Sequence, residues 1–220
     1  MSVKGTDPAA FAIAPDAVFT SRTLWRLVRL YLGLAGFGLS LALMVRARLG
    51  LGPWDVLHQG LARRMGLQIG WVVIVVSAAV LLLWIPLRLR PGLGTVSNVV
   101  LVGVFANVFL DQLRSPTGLV LRSLWLVFGI SLNAIATALY IGARFGPGAR
   151  DGLMVGIAER GYSIRVVRTA IELTALKIGF ALGGTVGVGT VAYALVIGPL
   201  VQRLLPVFGY QASDKAVVEK

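Results

Sequence analysis

The stretch "GLGPWDVLHQG", residues 50–60, places a Pro, an Asp and a His between two strongly apolar runs. Some ninety residues on, "RFGPGARDGLMVG", residues 144–156, repeats a Gly-Pro break followed by an acid. The runs around these breaks decide the class. The 220-residue chain is 57% hydrophobic and only 14% charged, with a mean hydropathy of +0.84. A water-soluble domain of this length needs more polar surface than that. Segments of about 20 apolar residues suit a hydrocarbon core of about 30 Å, and the chain holds several of them. They imply an all-α polytopic membrane protein, because backbone groups in lipid must bond internally.

Six apolar segments stand out, at 27–45, 69–87, 96–113, 124–141, 166–182 and 191–207. Lys and Arg concentrate on the side that holds both termini, at Lys4, Arg26, Arg29, Arg88, Arg144, Arg150, Lys215 and Lys220 among others. Arg46, Arg48, Arg63, Arg64, Arg114 and Arg122 fall on the other side. The bias predicts both termini in the cytoplasm. The net charge of +12 fits such loops facing anionic lipid. No basic helix with interleaved aromatics stands apart, so nucleic acid is not an expected partner. With no Cys and one His, disulfides, Cys-ligated metals and a His cluster are excluded. No metal or cofactor is expected.

The two breaks answer each other. Gly52-Pro53 is matched by Gly146-Pro147, Asp55 by Asp151 and Gly60 by Gly156. Gly94-Thr95 is matched by Gly189-Thr190, and Gly103 by Gly198. The order of the series argues for an internal repeat. A two-residue insertion after Pro147 reconciles the spacing. The chain then divides into a tail (1–24), a first three-helix half (25–113), a second half (114–208) and a second tail (209–220). Three crossings per half turn the second half upside down. Inverted repeats build transporter sites at the repeat interface near the bilayer midplane, with broken helices as pointers.

The short segment 54–65 cannot span. Its Trp54, Leu57, Leu61 and Met65 form one apolar stripe, and Pro53 suits a helix start. It is either an interfacial helix or a re-entrant half-helix. Its second copy, 151–160, is more apolar, which favours burial. In "RPGLGTVSN" and "GGTVGVGT", Thr95 and Thr190 can cap the helix that follows. A helix start of that kind can also hold an anion. "GVGTVA" matches a dinucleotide fingerprint but lies between spans, outside any βαβ unit, and is discarded.

Charges within spans usually face the protein interior. Arg165, Arg168 and Glu172 share a helix face, and Arg168 can pair with Glu172 one turn on. Lys177 points elsewhere and needs a partner, with Asp55, Asp111 and Asp151 as candidates. His58, three residues after Asp55, is either amphipathic filler or a proton relay. Asn98, Asn107 and Asn133 tie helices together more readily than they bind ligand. Asp55, His58, Asp151, Arg168, Glu172 and Lys177 are the candidate pathway residues. Gly52, Pro53, Gly94, Thr95, Gly146, Pro147, Gly189 and Thr190 are the break and helix-start elements.

These residues also carry a resemblance. "GLGPWDVLHQGL", "GLGTVSN", "FGPGARDGLM", "RVVRTAIE", "GGTVGVGT" and the Gly198-Pro199 pair resemble the YczE/YyaS/YitT group of bacterial multi-pass membrane proteins, nearest its YczE branch. The resemblance spans about residues 27–207 and implies a bacterial plasma-membrane location and a transport role. It supplies no site residues.

The resulting expectation is a secondary transporter or exporter of a small organic solute, proton-coupled and not an enzyme. Lipid and the solute are its partners, and a homodimer would enclose a larger pathway. The alternative is a membrane-embedded accessory or assembly protein that binds a partner without transport.

Overall fold

The computed structural model describes residues 21–208. The tails at 1–20 and 209–220, with Lys4, Lys215 and Lys220, lie outside the described residues. The helices in chain order are α1 (Ser21–Ala47), α2 (Pro53–Met65), α3 (Ile69–Leu82), α4 (Trp84–Leu87), α5 (Leu93–Gln112), α6 (Leu119–Gly142), α7 (Ala149–Ala158), α8 (Ile164–Ala181) and α9 (Val188–Leu204). A 3-10 turn, Leu205–Phe208, extends α9. No strand occurs among the described residues.

Five stretches are long and apolar enough to cross a membrane: Thr23–Ala47, Ile69–Leu87, Leu93–Gln112, Leu119–Gly142 and Val188–Phe208. The second joins α3 to α4 through a bend at Leu83, three residues before Pro86. The expected sixth span, 166–182, is helical as α8 but is not among these five. Arg165, Arg168, Glu172 and Lys177 load its 18 residues with charge. Hydropathy alone therefore supports five crossings and leaves α8 as a polar-edged helix.

Helices α1 and α6 run antiparallel and form the central pair. Small residues let them close: a Cβ built on Gly33 would lie 2.9 Å from the Ala136 carbonyl oxygen, and one on Gly129 would lie 2.8 Å from Met44 Cγ. Ser40 Oγ donates to the Gly129 carbonyl at 2.8 Å across the buried seam. At one end Arg26 Nε donates to the Ala143 carbonyl at 3.0 Å, and Arg26 Nη2 to that of Arg144 at 3.1 Å. At the other, Arg122 Nε donates to the Ala47 carbonyl at 2.7 Å and Nη2 to that of Arg48 at 2.8 Å. The last carbonyls of a helix have no intrahelical donor and carry the negative end of its dipole. Each central helix thus has its C-terminus capped by a cation from its partner.

Beyond each cap the chain turns sharply. Arg48 and Arg144 have φ of 55° and 57°, and Gly50 and Gly146 have φ of 116° and 115°. Each turn is held by the start of a distant helix. The Gly189 amide donates to the Leu49 carbonyl at 2.8 Å, and the Gly94 amide to the Phe145 carbonyl at 2.7 Å. Gly52 and Gly148 are the N-caps of α2 and α7, with φ of −61° and ψ of 156° and 157°. In geometry Gly50 therefore corresponds to Gly146 and Gly52 to Gly148. The pairing of Gly52-Pro53 with Gly146-Pro147 is replaced, and no insertion after Pro147 is needed.

The helix starts differ from expectation in register. The N-caps are Gly92 and Gly187, so Thr95 and Thr190 sit three residues inside. Their hydroxyls reach back to accept the Gly92 and Gly187 amides at 3.3 and 3.2 Å. Thr95 Oγ1 also donates to the Pro147 carbonyl at 2.7 Å. The amides of Gly94 and Gly189 are taken by protein carbonyls, so these helix starts grip the elbows and do not present an open anion cradle.

Candidate interior site

Helix α2 has Pro at its first position, Asp55 in its first turn and Gly66 in the left-handed conformation at its end. Its first eight residues are buried except Leu57. Helix α7 likewise buries Ala149, Gly152, Leu153, Met154 and Gly156. A helix lying at a membrane interface keeps one face in water, and the start of α2 has none. Both short helices enter the protein interior at their N-termini.

Their starts converge on one small cavity of about 40 Å³ among α1, α2, α3, α5, α6 and α7. Its polar walls are Asp55, His58, Arg150, Asp151, Tyr140 and Asn98. Asp55 and His58 are 3% and 5% exposed. His58 Nδ1 lies 3.5 Å from Asp55 Oδ1. That separation makes an ion pair if the imidazole is protonated, but it is too long for a good hydrogen bond. Both His58 ring nitrogens are buried without a hydrogen-bond partner, as is the indole nitrogen of Trp54. Tyr140 Oη donates to Asp151 Oδ2 at 2.5 Å, as short as hydrogen bonds to a carboxylate become. Gly148 admits this cluster, since a Cβ there would lie 3.1 Å from Asp151 Oδ2 and 3.2 Å from Tyr140 Oη. Arg150 stacks over Phe37, its guanidinium carbon 5.3 Å from the ring centre. It also feels the charges of both Asp55 and Asp151.

Of the candidate pathway residues, Asp55, His58 and Asp151 thus share one cavity. Arg168, Glu172 and Lys177 do not line it. Arg168 pairs with Glu172 at 3.0 Å along an outer face of α8, with Arg168 more than half exposed. Lys177 is exposed, and among the described residues it forms no ion pair with Asp55, Asp111 or Asp151. Asp111 instead accepts from Gln68 Nε2 at 3.2 Å.

Arg150 and Tyr140 were missed by sequence reasoning. Arg150 reads as a loop cation because it sits between apolar segments. Two of the three asparagines tie helices, as expected, while Asn98 lines the cavity. Asn107 Oδ1 accepts the Gly70 amide at 2.8 Å, and Asn133 Oδ1 accepts from Tyr193 Oη at 3.1 Å. Trp84 Nε1 donates to the Ala149 carbonyl at 2.9 Å and fixes the start of α7 against α4.

Long apolar helices packed around an interior charged cluster define an integral membrane protein of the all-α class. Residues 24–206 match a family of unknown function, DUF6198, and the chain belongs to that family. It is 40% identical over 199 residues to an uncharacterized protein of Haemophilus influenzae, covering 88% of this chain and 91% of that one. It is 35% identical over 176 residues to the uncharacterized membrane protein YczE of Bacillus subtilis, with 77% and 80% covered. To YyaS of the same organism it is 27% identical over 181 residues, with 80% and 90% covered. The family expected from the sequence motifs is therefore the right one. No solved structure matches.

Proposed function

We propose that the chain is a secondary transporter or exporter of a small organic solute, driven by a proton gradient across a bacterial plasma membrane, and not an enzyme. In this reading it is built from two inverted three-helix halves, with α8 as the sixth crossing and both termini cytoplasmic. The observation that carries it is the cavity where both short helices begin. It is lined by two carboxylates, a guanidinium and an imidazole, of which Asp55 and His58 are buried and the His58 ring nitrogens have no partner. Ionisable groups in a membrane interior are costly and mark substrate or proton routes. The antiparallel α1–α6 pair and the crosswise elbow contacts support the inverted arrangement, which in transporters places sites at the repeat interface.

The test is solute flux in proteoliposomes under an imposed pH gradient, wild type against Asp151→Asn. Flux of at least one solute from a broad panel, lost in the variant while folding is retained, is the expected result. Silence across the panel, together with a protein that co-purifies in stoichiometric amount, replaces this reading with the accessory role. One observation favours that second reading. The most apolar stretch of α9 is only 6% buried, against 33–56% for the other four spanning stretches, which leaves room for a protein neighbour or a second copy.

A further inference from the structure

The cavity carries a charge imbalance that its own residues do not cancel. Counted at formal charge, its walls set the two carboxylates of Asp55 and Asp151 against the one guanidinium of Arg150, an excess of one negative charge before His58 is counted. The elements packed around His58 enter this count one by one. α8, which packs on α2, contributes Arg168 and Glu172, an ion pair that cancels within itself, and the exposed Lys177, none of which lines the cavity. α1 contributes Phe37 and Leu41, α3 contributes Val73, Val76, Ser77 and Val80, α5 contributes Asn98 and Val102, and none of these ionises near neutral pH. α6 contributes Tyr140, whose proton lies on the hydrogen bond to Asp151. α7 contributes Arg150 and Asp151. Tyr193 of α9 is a phenol whose hydroxyl donates to Asn133 Oδ1 at 3.1 Å. An uncompensated charge in a low-dielectric interior is costly, so such a site recruits a counter-charge.

Two counter-charges fit. One is a proton on His58, the chain's single imidazole, which becomes the ion partner of Asp55 at 3.5 Å. The other is a cation in the cavity. Its volume of about 40 Å³ exceeds the ~10–15 Å³ one water needs and falls far below the ~150 Å³ cavity that holds benzene. That admits a few heavy atoms. A neutral His58 offers a bare ring nitrogen as acceptor, and Trp54, Phe37 and Tyr140 supply aromatic surface for a cation. The unpartnered Trp54 indole N–H requires an oxygen, which a water accompanying the cation supplies.

We infer that the Asp55–His58 cavity binds either one proton or one small monovalent cation, an alkali ion or a short protonated amine, in mutually exclusive fashion. This rests on the carrier reading and deepens it. A carrier that can hold one or the other at a single site exchanges them across the membrane. The step is a balanced displacement. The cation enters beside Asp55, the proton leaves His58 for water, and the net charge of the site is unchanged.

The experiment uses the full chain in detergent, purified without a His tag, in weak buffer containing only N-methylglucamine as background cation. Sodium chloride and methylammonium chloride are the probes, with a pH indicator and the imidazole NMR signal as readouts. At slightly acidic pH a saturating probe should release close to one proton per chain and move the imidazole signal to its neutral position. The apparent dissociation constant should rise up to tenfold for each unit of falling pH. Either probe succeeding supports the inference and tells alkali ion from amine. Asp55→Asn and His58→Gln should abolish release, and Glu172→Gln, on the outer face of α8, should keep it. If Asp55→Asn does not fold, the pH dependence of wild-type binding decides alone. No binding of either probe, binding that ignores pH, or release that persists in His58→Gln overturns the inference. Release without flux in vesicles refutes the carrier reading and leaves the exchange site standing; flux without release does the reverse.

Discussion

Gly50→Ala isolates what the crossed elbows contribute. Gly50 sits at φ 116°, outside the narrow left-handed basin near +50 to +70°. An alanine there costs about 2–3 kcal/mol in backbone strain. Its Cβ would also lie 2.7 Å from Thr190 Oγ1 and 2.8 Å from the Gly187 and Thr190 amide nitrogens. Those atoms form the first turn of α9, so the methyl pushes on the turn that holds the Leu49 carbonyl, for about 1 kcal/mol more. Gly66→Ala is the control. Its φ is 66° and nothing lies within 4 Å of its would-be Cβ. Strain there is ~1–2 kcal/mol, and the gain of ~0.4–1 kcal/mol from the stiffer unfolded chain is common to both variants and cancels. The difference of about 2 kcal/mol corresponds to ~4–8 °C in midpoint for a chain of this size. Thermal unfolding in one detergent, followed by circular dichroism, measures it. Gly146→Ala should match Gly50→Ala, because its φ and its 2.7 Å approach to Thr95 Oγ1 are the same. A Gly50→Ala midpoint equal to that of Gly66→Ala, or an effect at only one of the two elbows, refutes the reciprocal clasp.

Three further outcomes follow from the same contacts. Arg122→Met should destabilise by ~1.5–3 kcal/mol, since it removes two charged donors from the end of α1 and preserves the apolar stem; urea titration monitored by Trp fluorescence reads it, and Arg26→Met should lose a similar amount. Trp84→Phe removes the indole N–H from the buried Ala149 carbonyl together with part of the ring volume, for a loss of ~1–3 kcal/mol in the same titration from the hydrogen bond alone. Because the chain has no Cys, Met65→Cys and Arg160→Cys can be labelled singly with an impermeant maleimide. Inverted halves put the two ends on opposite faces of the membrane, and labelling from the same face refutes them.

Much of the scaffold was legible because hydropathy and Gly-Pro punctuation are local. The stretch 69–87 ends where the structure ends it, and Pro53 opens α2 as a first-turn proline should. The Asp55–His58 pair and the Arg168–Glu172 pair were readable from helical spacing. What stayed hidden depends on distant segments. Arg26 and Arg122 look like ordinary loop cations until the ends of α6 and α1 arrive to accept their protons. Their separation equals that of Asp55 and Asp151, and this was the one trace of their shared role in the sequence. Arg150 was hidden for the same reason: nothing local says that a loop folds inward. The threonine register failed by three residues because glycine has no side chain to mark a cap, so the eye moves to the nearest hydroxyl. In α8 the apolar count suggested a span, while its four charges sit mostly outside the packed interior.

The two halves, alike in their elbows, differ where the last helix of each should pack. In the first half, α3 lies against α5, and a Cβ on Gly103 would come 2.6 Å from Ile74 Cγ1. Gly198, its counterpart on α9, has nothing within 4 Å, and α9 is the least buried of the spanning stretches. Equal sequence signals in unequal settings are what an exchanging pair of repeats requires. In the proposed carrier one half would be closed while the other is open, and alternating access would swap them around the fixed site. If the proposed carrier works this way, a second conformation closes α8 onto α9 at Gly198 and loosens α3 from α5. Spin labels at the exposed Leu173 and Leu195 report the first distance, and labels at the exposed Val75 and Val100 report the second. Between about pH 5 and pH 8, the range in which an imidazole changes charge, the two distances should shift in opposite senses. His58→Gln should freeze the pair in one state. Distances that do not change with pH or with added sodium would make the open α9 face a permanent docking surface and not half of a moving gate.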